Sequence, residues 1–357
     1  MILLFTSNTR GGIVQLSLQV LHTCIEIGFY VKLMVPIETV EGIPISLKQF
    51  CIGYTKPKKL LKSEFADICN VFTKENPEVI WFMDEGVISK FAILKCISNA
   101  TVLMTIHDIV QHPAHMNLRK MLVGIVKMGL RRRVFKKVGK LLLFSDYSAK
   151  GFMARYPAFG TKVVKSTLGA HVPIAAGSKP TELNLENTQR FLLFFGRIDK
   201  YKGLEILLEA YVSSELMGNP ELVVAGSGKL TKREAMLAGS RGILLINRFI
   251  DDGEMIYLME NCEAVVLPYK EVTQSGVLPM AYHFGKPVII SSTPGLTEHV
   301  TDGKTGHVFS KPEELVKILK DYYDINYKSV MKHDINEYYN KEMNWGRNIK
   351  AKLKELK

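Results

Sequence analysis

Short apolar runs recur along this chain, separated by stretches long enough for one amphipathic helix each, and that alternation admits few folds. In the first half the candidate strands are Ile2–Thr6, Tyr30–Val35, Val79–Phe82, Thr101–Ile106 and Lys140–Phe144. They are apolar throughout instead of alternating with polar residues, the pattern of a parallel sheet covered by helices on both faces. Ile13–Ile27 and Leu60–Thr73 are among the intervening amphipathic segments. From Gly169 to Asn187 the periodicity fails and Gly, Ala, Pro, Ser, Thr and Asn accumulate, as in an interdomain connection. The alternation then restarts with Phe191–Phe195, Glu221–Ala225, Ile243–Ile246, Ala264–Leu267 and Pro287–Ser291. Two doubly wound α/β halves follow one another, each placing its ligand groups at the carboxyl ends of its strands. The predicted boundaries are an N-terminal Rossmann-like domain at 1–168, a connection at 169–190, a second Rossmann-like domain at 191–335 and a helical tail at 336–357. The tail is expected to pack back on the first domain.

Charge narrows the partners. The formal net charge is +12, which favours an anionic partner of some kind: nucleic acid, a phosphorylated small molecule or an acidic membrane surface. Cys24, Cys51, Cys69, Cys96 and Cys262 are odd in number and scattered, with no CxxC pair. That argues against a disulfide framework or a zinc site and for small buried thiols in a reducing compartment. The first residues lack a basic n-region and turn polar at Thr6-Ser7-Asn8, so they read as a buried strand and not as a leader. No uninterrupted apolar run reaches the roughly 18 residues a membrane span needs. The expected location is cytoplasmic, with peripheral attachment at the inner face of the plasma membrane as the accompanying reading.

Three segments of the second half carry chemistry. In Phe194-Phe195-Gly196-Arg197-Ile198-Asp199-Lys200-Tyr201-Lys202-Gly203 a buried strand ends in glycine and delivers Arg197, with Lys202 five residues on. A guanidinium fork and an ammonium point charge can together hold a diphosphate, although a solvated basic loop would read the same. In Val223-Val224-Ala225-Gly226-Ser227-Gly228, small residues after a strand permit close approach to the backbone, by a ligand or by a tight turn. In Leu267-Pro268-Tyr269-Lys270-Glu271-Val272-Thr273-Gln274-Ser275-Gly276 a polar loop leads into a helix start. Its free amides favour an anion, Ser275 can cap the helix or donate to phosphate, and Glu271 can accept from sugar hydroxyls. An ordinary capped helix is the alternative there.

In this order, Gly-Arg-Ile-Asp-Lys-Tyr-Lys-Gly, Ala-Gly-Ser-Gly and Gln-Ser-Gly-Val-Leu-Pro…Phe-Gly-Lys-Pro-Val-Ile resemble the retaining glycosyltransferases of family 4, of the GT-B fold. The likeness continues through Thr293-Pro294-Gly295-Leu296-Thr297-Glu298 and Asp302-Gly303-Lys304-Thr305-Gly306, and more loosely through Gly11-Gly12 and Ile106-His107-Asp108. It implies two Rossmann-like domains facing a cleft and sugar transfer from a UDP- or GDP-linked donor with retention. Arg197 and Lys202 would neutralise the donor's diphosphate in place of a metal ion, so no cofactor and no metal are expected. Gln274, Ser275 and Gly276 would hold phosphate or sugar, Gly11 and Gly12 would leave room for it, and Gly226 would line the donor site. Arg248, in the turn running to Ile250, would meet the nucleobase, and His107 would lie beside the reacting sugar. From spacing alone His107 reads equally well as a buried structural histidine. The family's paired glutamates are not both present: Val272 stands at the first position, beside Glu271, and Met280 at the second.

Between Asp108 and Asp146 there is no acidic residue, while Arg119, Lys120, Lys127, Arg131, Arg132, Arg133, Lys136, Lys137 and Lys140 are interleaved with apolar residues. A basic amphipathic helix of this kind can lie on an anionic bilayer, each cation adding about 1 kcal/mol near the surface. Arg131, Arg132, Arg133, Lys136 and Lys137 are its candidate membrane-facing residues; a plain solvated helix face is the alternative. No helix-turn-helix, RRM or zinc signature accompanies the charge, so a nucleic-acid partner is not expected. The expected partners are a nucleotide-sugar donor, a saccharide or lipid-linked acceptor and an anionic membrane surface, in the making of a cell-surface polysaccharide or glycolipid. A catalytically inactive nucleotide-sugar-binding relative and a soluble sugar synthase of the same fold are the competing readings.

Overall fold

The structure is a computed structural model that describes residues 1–9, 11–57, 65–97, 99–107, 118–173, 175–183, 191–216, 221–324 and 327–355. The chain forms two compact units, Met1–Thr167 with Trp345–Lys357, and Leu168–Asn344. Asp108, much of the candidate connection and the start of the Leu60–Thr73 segment lie outside the described residues.

The first unit is built on a seven-stranded, all-parallel sheet: β1 (Ile2–Phe5), β2 (Val31–Pro36), β3 (Cys51–Tyr54), β4 (Val79–Phe82), β5 (Thr101–Thr105), β6 (Lys140–Leu143) and β7 (Val163–Lys165). Its order is β3-β2-β1-β4-β5-β6-β7, with Ile2 opposite both Val31 and Val79. β1 and β4 are buried along their whole length, as continuous apolar runs require. The strand order reverses between β1 and β4, whose carboxyl ends lie side by side at the middle of the sheet.

The second unit repeats the plan with six strands: β8 (Phe191–Phe195), β9 (Glu221–Ala225), β10 (Ile243–Ile246), β11 (Ala264–Leu267), β12 (Val288–Ser291) and β13 (Gly306–Phe309), in the order β10-β9-β8-β11-β12-β13. Here the switch point lies between β8 and β11. Apolar clusters cover both faces of this sheet, one holding Leu193, Val265 and Met280 and the other Phe194, Leu208 and Val266.

Two features differ from the sequence reading. The tail divides at Trp345: residues up to Asn344 belong with the second unit, and the helix Trp345–Lys354 belongs with the first. There it packs on the helix Gly12–Glu26, its Trp345 ring meeting Phe144 edge-on at 5.8 Å between centroids. The cysteines are the second difference. Cys69, on the helix Ala66–Glu75, and Cys96, just past the helix Val87–Ile93, form a disulfide across a Cα separation of 5.6 Å. These two helices are the crossovers into and out of β4, so thiols far apart in sequence meet above the sheet without any CxxC spacing. A reducing compartment therefore loses the support drawn from unpaired cysteines. Cys24 and Cys262 are buried and form no disulfide among the described residues, as the sequence suggested.

Candidate functional site

In the second unit the carboxyl ends of β8, β9 and β11 are brought together by glycines. Gly196 N donates to Ala225 O at 2.9 Å and Ile198 N to Ser227 O at 2.9 Å, so the loops after β8 and β9 lie backbone to backbone. A Cβ on Gly226 would stand 2.1 Å from the Gly196 carbonyl oxygen, and one on Gly228 would stand 2.2 Å from that of Ile198. Gly226 therefore serves the close approach of two loops, a role the sequence motif alone does not separate from ligand binding. Gly203, in the left-handed region at φ 66°, is held the same way, with Pro268 O only 2.0 Å from where its Cβ would be.

Under this collar lies Lys202, 7% exposed. Its Nζ would be 2.9 Å from a Cβ on Gly196 and sits 5.2 Å from the centre of the Tyr269 ring. Among the described residues no carboxylate forms an ion pair with it. Burial pulls its pKa down, with the Arg197 charge adding to the effect and Asp199 opposing it. A buried ammonium facing an aromatic ring and no anion is costly, and a bound anion relieves that cost. Arg197 is exposed, its guanidinium 3.5 Å from Asp199.

The β11 loop is fixed beside it. Tyr269 O accepts from Ser291 Oγ at 2.5 Å and Thr293 Oγ1 at 2.8 Å, and Lys270 N donates to Tyr201 O at 2.7 Å. Gly295 lets the loop pass, since a Cβ there would meet Val272 O at 2.4 Å. Glu271 and Gly276 are exposed and Gln274 is half-buried. Ser275 Oγ accepts from Val277 N at 3.2 Å, and a Cβ on Gly276 would meet nothing within 4 Å. Met280 is buried in the apolar core, where no polar partner is required of it. Burial pushes the Tyr269 phenol up to about 12. Tyr269 escaped the sequence reading; an aromatic residue next to Pro268, which follows the last strand residue Leu267, is the signal that marks it.

Two assignments made from sequence change. Arg248 donates from Nε to Glu182 Oε1, from Nη2 to Glu182 Oε2 and Glu254 Oε1, and from Nη1 to Glu254 Oε2 and the Phe249 carbonyl. Every N–H of its guanidinium is engaged, so it clamps the segment bearing Glu182 to the helix Asp252–Asn261 and has no donor left for a nucleobase. Asp251 caps that same helix by accepting from Glu254 N at 2.8 Å.

In the first unit the loop after β4 organises the strand ends. Asp84 accepts from Ser7 N at 2.6 Å, Ser7 Oγ at 2.8 Å, Gly86 N at 2.8 Å and Thr6 Oγ1 at 3.1 Å, and pairs with the fully buried Lys90. Burial acting alone would raise the Asp84 carboxyl; Lys90 and the two N–H donors outweigh it and hold it at about 2. His107 Nε2 lies 2.8 Å from Met83 O, and His107 N donates to Glu85. Beyond Ser7 the chain turns through Gly11 at φ 87°, and a Cβ on Gly11 or Gly12 would meet nothing within 4 Å. The second corrected assignment is Arg131, whose Nη2 pairs with Glu85 Oε2 at 2.9 Å and which therefore faces inward. Arg132, Arg133, Lys136 and Lys137 are exposed on the helix Leu118–Lys137, while the side chains of Arg119, Lys120 and Lys127 lie outside the described residues.

Residues 178–342 match the family model described as glycosyl transferases group 1. Over these residues the chain is similar to the glycosyl transferases group 1 family. The match takes in the glycine collar, Lys202 and the β11 loop. An uncharacterized glycosyltransferase of Methanocaldococcus jannaschii is 28% identical over 168 residues, 44% of this chain and 43% of that protein. A GDP-mannose:glycolipid 4-beta-D-mannosyltransferase of Xanthomonas campestris is 31% identical over 122 residues, 31% of this chain and 34% of that protein. The chain thus spans less than half the length of these curated relatives. HepE of Anabaena, solved with UDP, superposes with a TM-score of 0.75 at 14% identity over 99% of either chain. A sucrose-phosphate synthase from Thermosynechococcus elongatus gives 0.71 at 15% identity over 100% of this chain and 99% of that one. At such identities the likeness establishes the fold, which is GT-B: two Rossmann-like units in tandem.

Proposed function

We propose that the protein is a retaining, metal-independent glycosyltransferase that moves a sugar from a UDP- or GDP-linked donor to a saccharide or lipid-linked acceptor. The observation carrying this reading is Lys202: a buried ammonium without a carboxylate partner among the described residues, roofed by Gly196 and walled by Tyr269. A diphosphate supplies the missing countercharge. As the glycosidic bond to the diphosphate breaks, negative charge grows on the departing oxygen, and fixed cations stabilise it without reorganising. Lys202 supplies one such charge from inside the site, and the exposed Arg197 a second from its rim. The acid pair Asp251-Asp252 is not assigned to a metal, because Asp251 is engaged as a helix cap. His107, in the first unit, is the group we assign to the reacting sugar.

Support for the donor class comes from the group 1 family match and from relatives named for GDP-mannose or solved with UDP. The exposed Arg132, Arg133, Lys136 and Lys137 support a peripheral enzyme acting on an acceptor held at an anionic membrane face.

The test is a thermal-shift screen in EDTA with UDP, GDP, ADP and their sugar conjugates. A ligand that binds only the native state raises stability by RT ln(1 + [L]/Kd). One nucleotide class should raise the melting temperature of the wild type and leave Lys202→Met unmoved. No shift with any of them overturns the donor assignment.

A further inference from the structure

The residues after β4 grip His107 at two points. Its backbone N–H donates to Glu85 Oε1, and its ring Nε2 lies 2.8 Å from the carbonyl oxygen of Met83. A carbonyl only accepts, so Nε2 must carry a proton, and the ring is fixed relative to its own backbone. Glu85 in turn is anchored through its other oxygen, Oε2, by Arg131 Nη2 at 2.9 Å. Both side chains of that ion pair are largely buried, at 14% and 16% exposure. Met83 is itself tied to β1, its N–H donating to Phe5 O at 2.9 Å. The chain of contacts therefore runs from one arginine on the helix Leu118–Lys137, through a carboxylate, to the histidine at the end of β5.

We infer that Glu85 and Arg131 are positioning residues for His107: the ion pair locks the β5 loop so that the imidazole is presented in one orientation and one tautomer. A carboxylate held on one side by a guanidinium cannot rotate away from the N–H on its other side. Without Arg131 the carboxylate loses the cation that fixes its Oε2, its hold on the His107 N–H slackens, and the ring is no longer set squarely on the Met83 carbonyl. The inference rests on the proposed role of His107 in sugar transfer, but the geometry it invokes lies wholly within the first unit.

The experiment uses the full-length protein labelled with 15N, with the His107 ring signals assigned by their loss in His107→Gln. In the wild type the neutral ring should show a single tautomer, protonated at Nε2. Arg131→Met and Glu85→Ala should give a mixture of both tautomers, and Arg131→Lys, which keeps the cation, should restore the single form. Lys150→Met removes an equal charge from an exposed position and should change nothing. In parallel, release of UDP or GDP from UDP-glucose and GDP-mannose by transfer to water is followed. Arg131→Met should lower kcat between about tenfold and 100-fold, as for a misplaced reacting group, with KM for the donor little changed. A single Nε2-protonated tautomer in Arg131→Met, or an unchanged kcat, overturns the inference. If the wild type turns over neither donor, the functional reading is what fails, and the tautomer measurement still decides whether the ion pair positions His107. Should Glu85→Ala fail to fold, the Arg131 series decides alone.

Discussion

Lys202 is where stability and binding pull in opposite directions. Replacing it with Met removes a buried charge that has no carboxylate partner among the described residues and keeps most of the volume, so the empty protein should gain about 1–3 kcal/mol while losing nucleotide affinity. Urea unfolding with and without the nucleotide measures both. The sign of the pH effect follows from the same burial. Because the folded-state pKa lies below the unfolded one, the unfolded chain holds more protons between the two values, and stability rises with pH across that interval. Diphosphate affinity should fall across the same interval as the ammonium is lost, and calorimetric titration at stepped pH reads it. At this scale the sequence located cations well and their partners poorly. Arg197 and Lys202 were legible as strand-end cations, whereas Arg248 and Arg131 were misassigned because a charge in a sequence does not reveal the carboxylate that faces it. Glu182 is 66 residues from Arg248, and Glu85 is 46 from Arg131.

Among elements, the central strands could be read from apolar runs, and of the four edge strands only β10 could. β3, β7 and β13 were absent from the expected set, and all three lie at the rim of a sheet. An edge strand buries one flank only; β7 is nowhere fully buried, and Cys51-Ile52-Gly53-Tyr54 carries no continuous apolar run. The joints between elements are the sensitive points. Asp84→Asn leaves Lys90 buried without its anion, and a loss of about 3–5 kcal/mol should appear in denaturant titration. In acid the wild type should lose this contribution as pH falls from the unfolded carboxylate's value near 3.9 toward about 2, because the folded pKa is the lower one. The Cys69–Cys96 bridge closes a loop of 27 residues, for which chain entropy predicts about 3–4 kcal/mol. Double replacement by Ala, compared in calorimetry with the oxidised wild type, checks that figure.

Across the whole molecule, the strand order of the first unit is repeated in the second, with one strand more at the far edge of the first. The two-half organisation was legible because each half is an alternation of its own. The return of the chain to the first unit at Trp345 was not legible to the residue, since Tyr327–Tyr338 and Trp345–Lys354 are both helical in pattern and the division between units falls between them. The exposed basic positions make a prediction at this scale as well. Changing Arg132, Arg133, Lys136 and Lys137 to Ser should abolish sedimentation with anionic vesicles; equal sedimentation of both proteins would take the role from these four residues, and a wild type that stays in the supernatant would remove the membrane from the picture. The division at Trp345 also bears on time. The second unit is one continuous stretch, so every residue it needs leaves the ribosome before the segment from Trp345 onward does. The first unit begins earlier yet must wait, with its Gly12–Glu26 helix uncovered, until the segment from Trp345 onward emerges. The half that is made first is therefore the half that is finished last.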